Sequence, residues 1–316
     1  MAQFQPREKT TSAFLFPGVN CVTREKDRER ALHLPQVQQR LKVAQEVIYG
    51  LGDSRSLQEH LQRSAEDICK VDNIALTAPC VAAIQLGITD CLNSKGISPD
   101  WLLGCSLGDH ARSVCAGVIK FEDLIHIQHD FFTNYCHDAH NFQGVNIGIR
   151  SSTAAPFTKV DIAWFEENGI AVSWMSPNYV QTACTPEVYE LLCAMATNRN
   201  WRTELFKFEI MFHTHQLRIF SGRVKRILDQ CTLKEPVLPM YSSVLNQPLD
   251  SINAFVEELV LSAWNPVRWL QSVRSLLEQH QVTHFINIGP CHSLTALQRN
   301  ITPGTRAINA LSLIDD

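Results

Sequence analysis

The sequence lacks a strong excess of either charge. Lys plus Arg number 28 and Asp plus Glu 32, a formal net charge of −4 over 316 residues. That excludes nucleic-acid binding by bulk positive charge and leaves only a local basic patch for such a role. There is no CxxC pair, no zinc-like Cys/His spacing, no internal repeat and no low-complexity segment. The apolar stretches, such as 76–86, are broken by polar residues and fall short of the ~20 residues of a membrane-spanning helix. No apolar signal core follows Met1; residues 1–11 are polar and mixed in charge, and the first ten read as a frayed leader. The eleven cysteines are odd in number and scattered, so they read as buried thiols of a reducing, cytoplasmic setting.

What is present is ordinary globular composition, 45% hydrophobic and 19% charged. The apolar share excludes a disordered chain, and the length suggests about two domains. Residues 12–18 form an apolar run closed by Pro17-Gly18, a strand running into a loop. Residues 34–64 have helical spacing, and 77–93 are apolar almost all round, which predicts a deeply packed helix. A strand from Trp101 runs into a glycine-flanked turn, with helices from His110 and from Phe121. Alternating runs at 145–150 and 170–174 and a helix at 185–196 suggest an inserted β–α subdomain. A strand-like run follows Pro236. Pro266 opens a helix whose apolar face is Val267, Leu270, Val273 and Leu277. Residues 283–289 form a final buried strand. Strands alternating with helices predict a parallel α/β sheet.

Gly104-Cys105-Ser106-Leu107-Gly108 matches G-x-S-x-G. A serine on a tight strand-to-helix turn has its hydroxyl pushed out of the sheet. Glycines two residues to either side let the backbone make that turn. The first N–H groups of the helix then face the hydroxyl, ready for an oxyanion. A serine nucleophile needs a base, and twelve histidines compete for the role. His126, His129, His137 and His140 cluster without zinc-like spacing and read as solvated. His33, His60 and His280 lie on polar stretches. His213 follows an apolar pair, but composition does not choose it over His215, His284 or His292.

Taken together, five segments resemble the malonyl-CoA:acyl-carrier-protein transacylase family and the acyltransferase domains of polyketide synthases. Phe14-Leu-Phe-Pro17-Gly18 is similar to the opening F-x-F-P-G-Q-G. Gly104-Cys-Ser106-Leu-Gly108-Asp109 resembles G-H-S-x-G-E. Residues 114–123 resemble A-G-v-i-x-f-e-D, and Phe212-His213-Thr214 resembles F-H-S. Asn265-Pro-Val-Arg-Trp269, with Ile288-Gly-Pro290 and Leu294, is similar to the family's P-V-x-W and G-P-x-x-x-L end. The order and spacing hold over roughly residues 12–305.

The resemblance implies an α/β-hydrolase-like parallel-sheet core (12–136 and 207–316) with an inserted ferredoxin-like small subdomain (137–206). It implies a serine nucleophile, Ser106, with His213 as base, and backbone N–H groups of Leu107 and Val19 as the oxyanion hole. Neither a metal nor a bound cofactor is implied. The substrate would be a phosphopantetheine thioester on coenzyme A or an acyl carrier protein. Carrier proteins are acidic, so Arg218, Arg223, Lys225 and Arg226 form a candidate docking patch.

Four positions depart from the family pattern. Val19 stands for a glutamine and Cys105 for the histidine before the nucleophile. Phe131, 25 residues past Ser106, stands where malonyl-loading members carry arginine, and no arginine occurs between Arg112 and Arg150. Ser262 stands for the glutamine that orients the catalytic histidine, which makes it the orienting candidate here. A buried malonate carboxylate without its partner would cost roughly 3–5 kcal/mol. Malonyl is therefore expected to be a poor substrate, with Cys105 and Phe131 lining an apolar acyl pocket. Three outcomes follow: an acyltransferase of a polyketide-type pathway, an acyl hydrolase clearing stalled carrier proteins, or a non-catalytic member.

Overall fold

The computed structural model describes residues 10–142, 144–208 and 211–315. Residues 1–9 of the expected leader and the side chains of His137 and His140 lie outside this description.

Ten strands among the described residues make two sheets. In chain order they are β1 (Thr11–Phe16), β2 (Trp101–Gly104), β3 (Val145–Ser151), β4 (Ser173–Ser176) and β5 (Tyr179–Cys184). β6 (Trp201–Leu205), β7 (Met240–Tyr241), β8 (Pro248–Leu249), β9 (Val282–Asn287) and β10 (Arg306–Asn309) follow. The larger sheet has the order β10-β9-β1-β2-β7-β8. Its strands are parallel except β8, which pairs antiparallel with β7. β1 sits at its centre, and its apolar run is used on both faces. Phe14 and Phe16 join one core cluster, Ala13 and Leu15 the other. Two-sided burial is why this strand reads as a continuous apolar run.

The smaller sheet is wholly antiparallel, with the order β4-β5-β3-β6. Helices Lys159–Glu167 and Pro186–Asn198 link β3 to β4 and β5 to β6. This is the βαββαβ arrangement of a ferredoxin-like unit. Its core is aromatic: Phe165 stacks on Trp201 with ring centroids 5.8 Å apart, and Phe157 meets both edge-on. The first helix starts in a capping box, where Thr158 and Asp161 satisfy each other's backbone N–H. The fold is thus the α/β-hydrolase-like core with an inserted ferredoxin-like unit.

Several elements depart from their sequence expectation. The expected strand at 170–174 begins only at Ser173. The helix expected at Pro266 begins at Trp269, and its buried face uses Leu276. The Val267 N–H instead donates to Ser173 Oγ (2.9 Å), which ties the preceding loop to the small sheet. β10 follows what read as the last strand. The stretch Val71–Ser94 does reach the length and hydropathy of a membrane span, with mean hydropathy 1.5 over an 18-residue window, but 94% of that window is buried within the fold. Interruption by Thr77, Gln85 and Thr89 made it look too short. All three are buried, and their side chains hydrogen-bond inside the core.

Candidate active site

Ser106 stands where β2 turns into helix Gly108–Cys115. Its φ is 56°, the left-handed region that side chains rarely adopt. Three main-chain hydrogen bonds hold the turn: Cys105 N–H to Phe16 C=O (2.9 Å), Gly108 N–H to Cys105 C=O (3.0 Å) and Asp109 N–H to Ser106 C=O (2.9 Å). Both flanking glycines are sterically required. A Cβ on Gly104 would lie 2.7 Å from Asp109 Cα, and one on Gly108 would overlap the Phe16 carbonyl.

His213 is the second strained residue, with φ 60°. Its N–H donates to Ala263 C=O (3.0 Å). Its Nδ1–H donates to Asn265 C=O (3.0 Å), which leaves Nε2 to accept from Ser106 Oγ–H at 2.9 Å. Two residues 107 apart in sequence thus meet in strained conformations, as functional groups commonly do. Enclosure by the protein holds the imidazole below its usual pKa, opposed by the main-chain bonds at Asn265 and Ser262. The ring is therefore a neutral acceptor near pH 7.

The other histidines weighed as the base lie elsewhere. His215 faces Trp264, His284 binds Thr283, and His292 precedes helix Ser293–Ile301. His129 Nε2 is 2.9 Å from Asp53 Oδ2. Among the described residues no three Cys, His, Asp or Glu side chains gather as metal ligands. Ser262, the orienting candidate, does not hold the histidine with its side chain. Its short hydroxyl donates to Leu259 C=O in its own helix (3.1 Å), and a main-chain carbonyl does the orienting.

Leu107 N–H, at the head of helix Gly108–Cys115, and Val19 N–H, at the start of the turn Val19–Val22, donate to no acceptor among the described residues. The loop carrying Val19 lies close over the nucleophile. A Cβ on Gly18 would stand 3.1 Å from Cys105 O and 3.6 Å from Ser106 Cβ.

Ser106, His213, Leu107, Val19, Cys105 and Phe131 all line one cavity of about 620 Å³. One side of it is apolar, built by helices Phe121–Ala139, Ser221–Leu228 and Ile252–Ser262. Phe131 stacks there on Tyr135 with centroids 5.8 Å apart. The other side is polar and comes from the small sheet, including Arg150, Gln181 and Glu204. Arg150 is exposed, its guanidinium 4.5 Å from the Tyr179 ring centroid. Arg218, Lys225 and Arg226 are exposed and Arg223 half-buried; Arg218 lies over Trp264.

The acyl transferase domain family model matches residues 36–310. The chain belongs to that family. It is 23% identical to the malonyl CoA-acyl carrier protein transacylase of Bacillus subtilis (strain 168), over 94% of this chain and 92% of that protein. It is 27% identical to the highly reducing polyketide synthase FUM1 of Gibberella moniliformis over 76% of this chain, yet spans only 9% of that synthase. The acyl-carrier-protein S-malonyltransferase of Burkholderia pseudomallei 1710b superposes with a TM-score of 0.82 at 20% identity, over 97% and 98% of the two chains. A malonyl-transacylase solved with its type II PKS acyl-carrier protein superposes with a TM-score of 0.80 at 24% identity, over 96% and 99%. At these identities the structural likeness carries the fold. The family makes the chain an acyltransferase.

Sequence reading missed three features of this site. Beneath the nucleophile turn, Arg112 pairs with Glu258 and stands 3.2 Å from Asp109, all three fully buried. His110 lines the cavity and accepts from Gln128 Nε2 at its Nδ1 (2.9 Å). The Asn265 carbonyl holds the histidine. Only His110 carried a usable signal, its place four residues past the nucleophile.

Proposed function

We propose that this chain moves an uncharged acyl group to or from the phosphopantetheine thiol of an acyl carrier protein through an ester on Ser106. His213 Nε2 takes the hydroxyl proton as Ser106 Oγ attacks the thioester carbonyl. Leu107 and Val19 N–H groups receive the oxyanion. Collapse breaks the C–S bond, and His213 returns the proton to the departing thiolate. A second thiol then attacks the ester by the reverse steps. The observation that carries this reading is the 2.9 Å Ser106–His213 contact, opening with two unpartnered N–H groups onto one cavity.

The names of the transacylase relatives support a carrier protein as partner. The exposed cations at 218, 225 and 226 suit its acidic surface. The preference for an uncharged acyl group rests on the apolar wall around Phe131. Arg150 is stacked and exposed on the opposite side, so a malonyl carboxylate on the Phe131 side would lie uncompensated at roughly 3–5 kcal/mol. That is about a hundredfold or more in kcat/KM. The division into a core and a small subdomain at 137–206 is part of this proposal, supported by the separate antiparallel sheet. So is a cytoplasmic setting, supported by eleven unpaired thiols.

Intact-mass spectrometry after incubation with malonyl-, acetyl- and butyryl-loaded carrier proteins, beside Ser106→Ala, tests the reading. An adduct on Ser106 that passes to a second carrier protein is expected. Free acid without a lasting adduct would make the enzyme a hydrolase instead. Malonyl loading at the butyryl rate would overturn the specificity, and no Ser106-dependent change would overturn the catalytic reading.

A further inference from the structure

Among the polar side chains of the cavity wall, His110, Gln128 and Tyr135 lie together and have no part in the chemistry above. Gln128 and Tyr135 share a face of helix Phe121–Ala139 with Phe131, at helical spacing. Each is only 1% exposed. Gln128 Nε2–H donates to His110 Nδ1 at 2.9 Å, which leaves the proton of the ring on Nε2. That nitrogen has no partner among the described residues. Burial, and secondarily the charge of Arg112, lower the His110 pKa to about 4. At neutral pH the ring is therefore an uncharged N–H donor. Gln128 Oε1 and Tyr135 Oη are also buried without a hydrogen-bond partner.

Polar atoms inside a folded chain are nearly always paired, and leaving one unpaired is costly. A cavity meant for a plain alkyl chain would be cheapest with aliphatic residues at 110, 128 and 135. Here His110 Nε2–H is a donor in the wall, backed by Gln128 Oε1 and Tyr135 Oη, which lie beneath the cavity surface. We propose that the preferred acyl group is a hydroxylated chain, whose hydroxyl is bound beyond the thioester carbonyl by the His110–Gln128 pair. A hydroxyl accepts the hydrogen bond of the ring N–H that hydrocarbon leaves bare, with Gln128 fixing the tautomer and orientation of that ring. Discrimination of this kind is strong because the wrong substrate strands buried polar groups. The inference rests on the proposed acylation of Ser106 and assigns its substrate class.

The test compares loading of Ser106 by hexanoyl, 3-hydroxyhexanoyl and 5-hydroxyhexanoyl pantetheine thioesters, read by mass spectrometry. At least one hydroxylated chain should load with kcat/KM roughly tenfold above hexanoyl. Gln128→Leu and His110→Phe should each raise hexanoyl loading and lower loading of that hydroxylated chain. Reaction of Ser106 with a fluorophosphonate probe checks that both variants keep a folded nucleophile. Hexanoyl loading as fast as both hydroxylated chains in the unaltered enzyme would overturn the inference while leaving Ser106 acylation standing. So would a hydroxyl preference that survives both substitutions, since it would then arise elsewhere. Fluorophosphonate labelling with no loading by any of the three would sink the acyl-transfer reading, and the inference with it.

Discussion

Removing Arg112 should cost the fold more than removing Glu258, although the two form one ion pair. Arg112 donates from both Nη atoms to Glu258 and from Nη1 to the Tyr241 carbonyl (2.8 Å). Asp109 lies 3.2 Å from the same Nη1, and its carboxyl accepts no hydrogen bond among the described residues. The cluster has two carboxyl groups for one guanidinium. Burial pushes the Asp109 carboxyl well above the usual carboxylate range; the Glu258 charge adds to this and Arg112 opposes it. That direction favours a protonated Asp109 at neutral pH, which would leave the cluster electrically balanced. In Glu258→Gln, Asp109 ionises and becomes the counterion, so the cost falls to roughly 1–3 kcal/mol for lost hydrogen bonding. In Arg112→Met, the Glu258 carboxylate is left buried without a cation, at roughly 3–5 kcal/mol. Urea unfolding followed by far-UV circular dichroism at pH 7 ranks the two, provided the denaturant slopes match. The double variant Arg112→Met/Glu258→Met should be more stable than Arg112→Met alone. Glu258→Gln costing as much as Arg112→Met would refute the charge count. The pH dependence gives an independent check. A carboxyl with a raised folded pKa contributes stability that is complete at low pH and is lost as pH rises through that folded pKa. Asp109→Asn, fixed in the neutral form, should therefore gain on the unaltered protein between pH 5 and 9, and a flat difference would show that Asp109 is already ionised.

Three further outcomes are expected. Because burial lowers the His213 pKa, the base stays neutral below the usual histidine range, so the Ser106 acylation rate should hold from pH 8 down past pH 6.5 and fall only beneath it. A rate midpoint above 6.5 in rapid-quench measurements would contradict that. His213→Asn should slow acylation by roughly 10²–10⁴-fold, the usual range for a lost general base, with thioester binding by calorimetry little changed. Gly108→Ala should fail to fold or lose acylation, because its Cβ overlaps the Phe16 carbonyl of the central strand; a normal melting temperature with normal activity would show that the turn can relax.

The parts of this site legible in the sequence are those whose constraint is local. The Ser106 turn was readable because its steric demand falls on residues two away, where only glycine avoids Asp109 and Phe16. β1 was readable because burial on both faces leaves one unbroken apolar run. His213 was not readable from its own neighbourhood. It reaches Ser106 across 107 residues, and family resemblance rather than composition separated it from His215. Its orienting partner is a main-chain carbonyl, which every residue possesses, so no side-chain pattern marks Asn265. The missing glutamine therefore pointed to Ser262, whose hydroxyl is too short to do better than return to its own helix. The stretch Val71–Ser94 shows the same limit from the other side. Apolar composition is shared by a membrane span and a core helix, and only packing against Pro35–Gly50 and Phe121–Ala139 separates them. Arg112 and Glu258 make the strongest case. Each looks like a solvated charge on an amphipathic helix, yet they meet 146 residues apart in the core. The pair joins the helix that follows Ser106 to the helix that leads into Ala263 and Asn265, whose carbonyls hold His213. The pair thus braces the segments that carry nucleophile and base, though neither residue takes part in it. Arg112→Met should for that reason slow acylation as well as weaken the fold, with more of the loss in kcat than in KM.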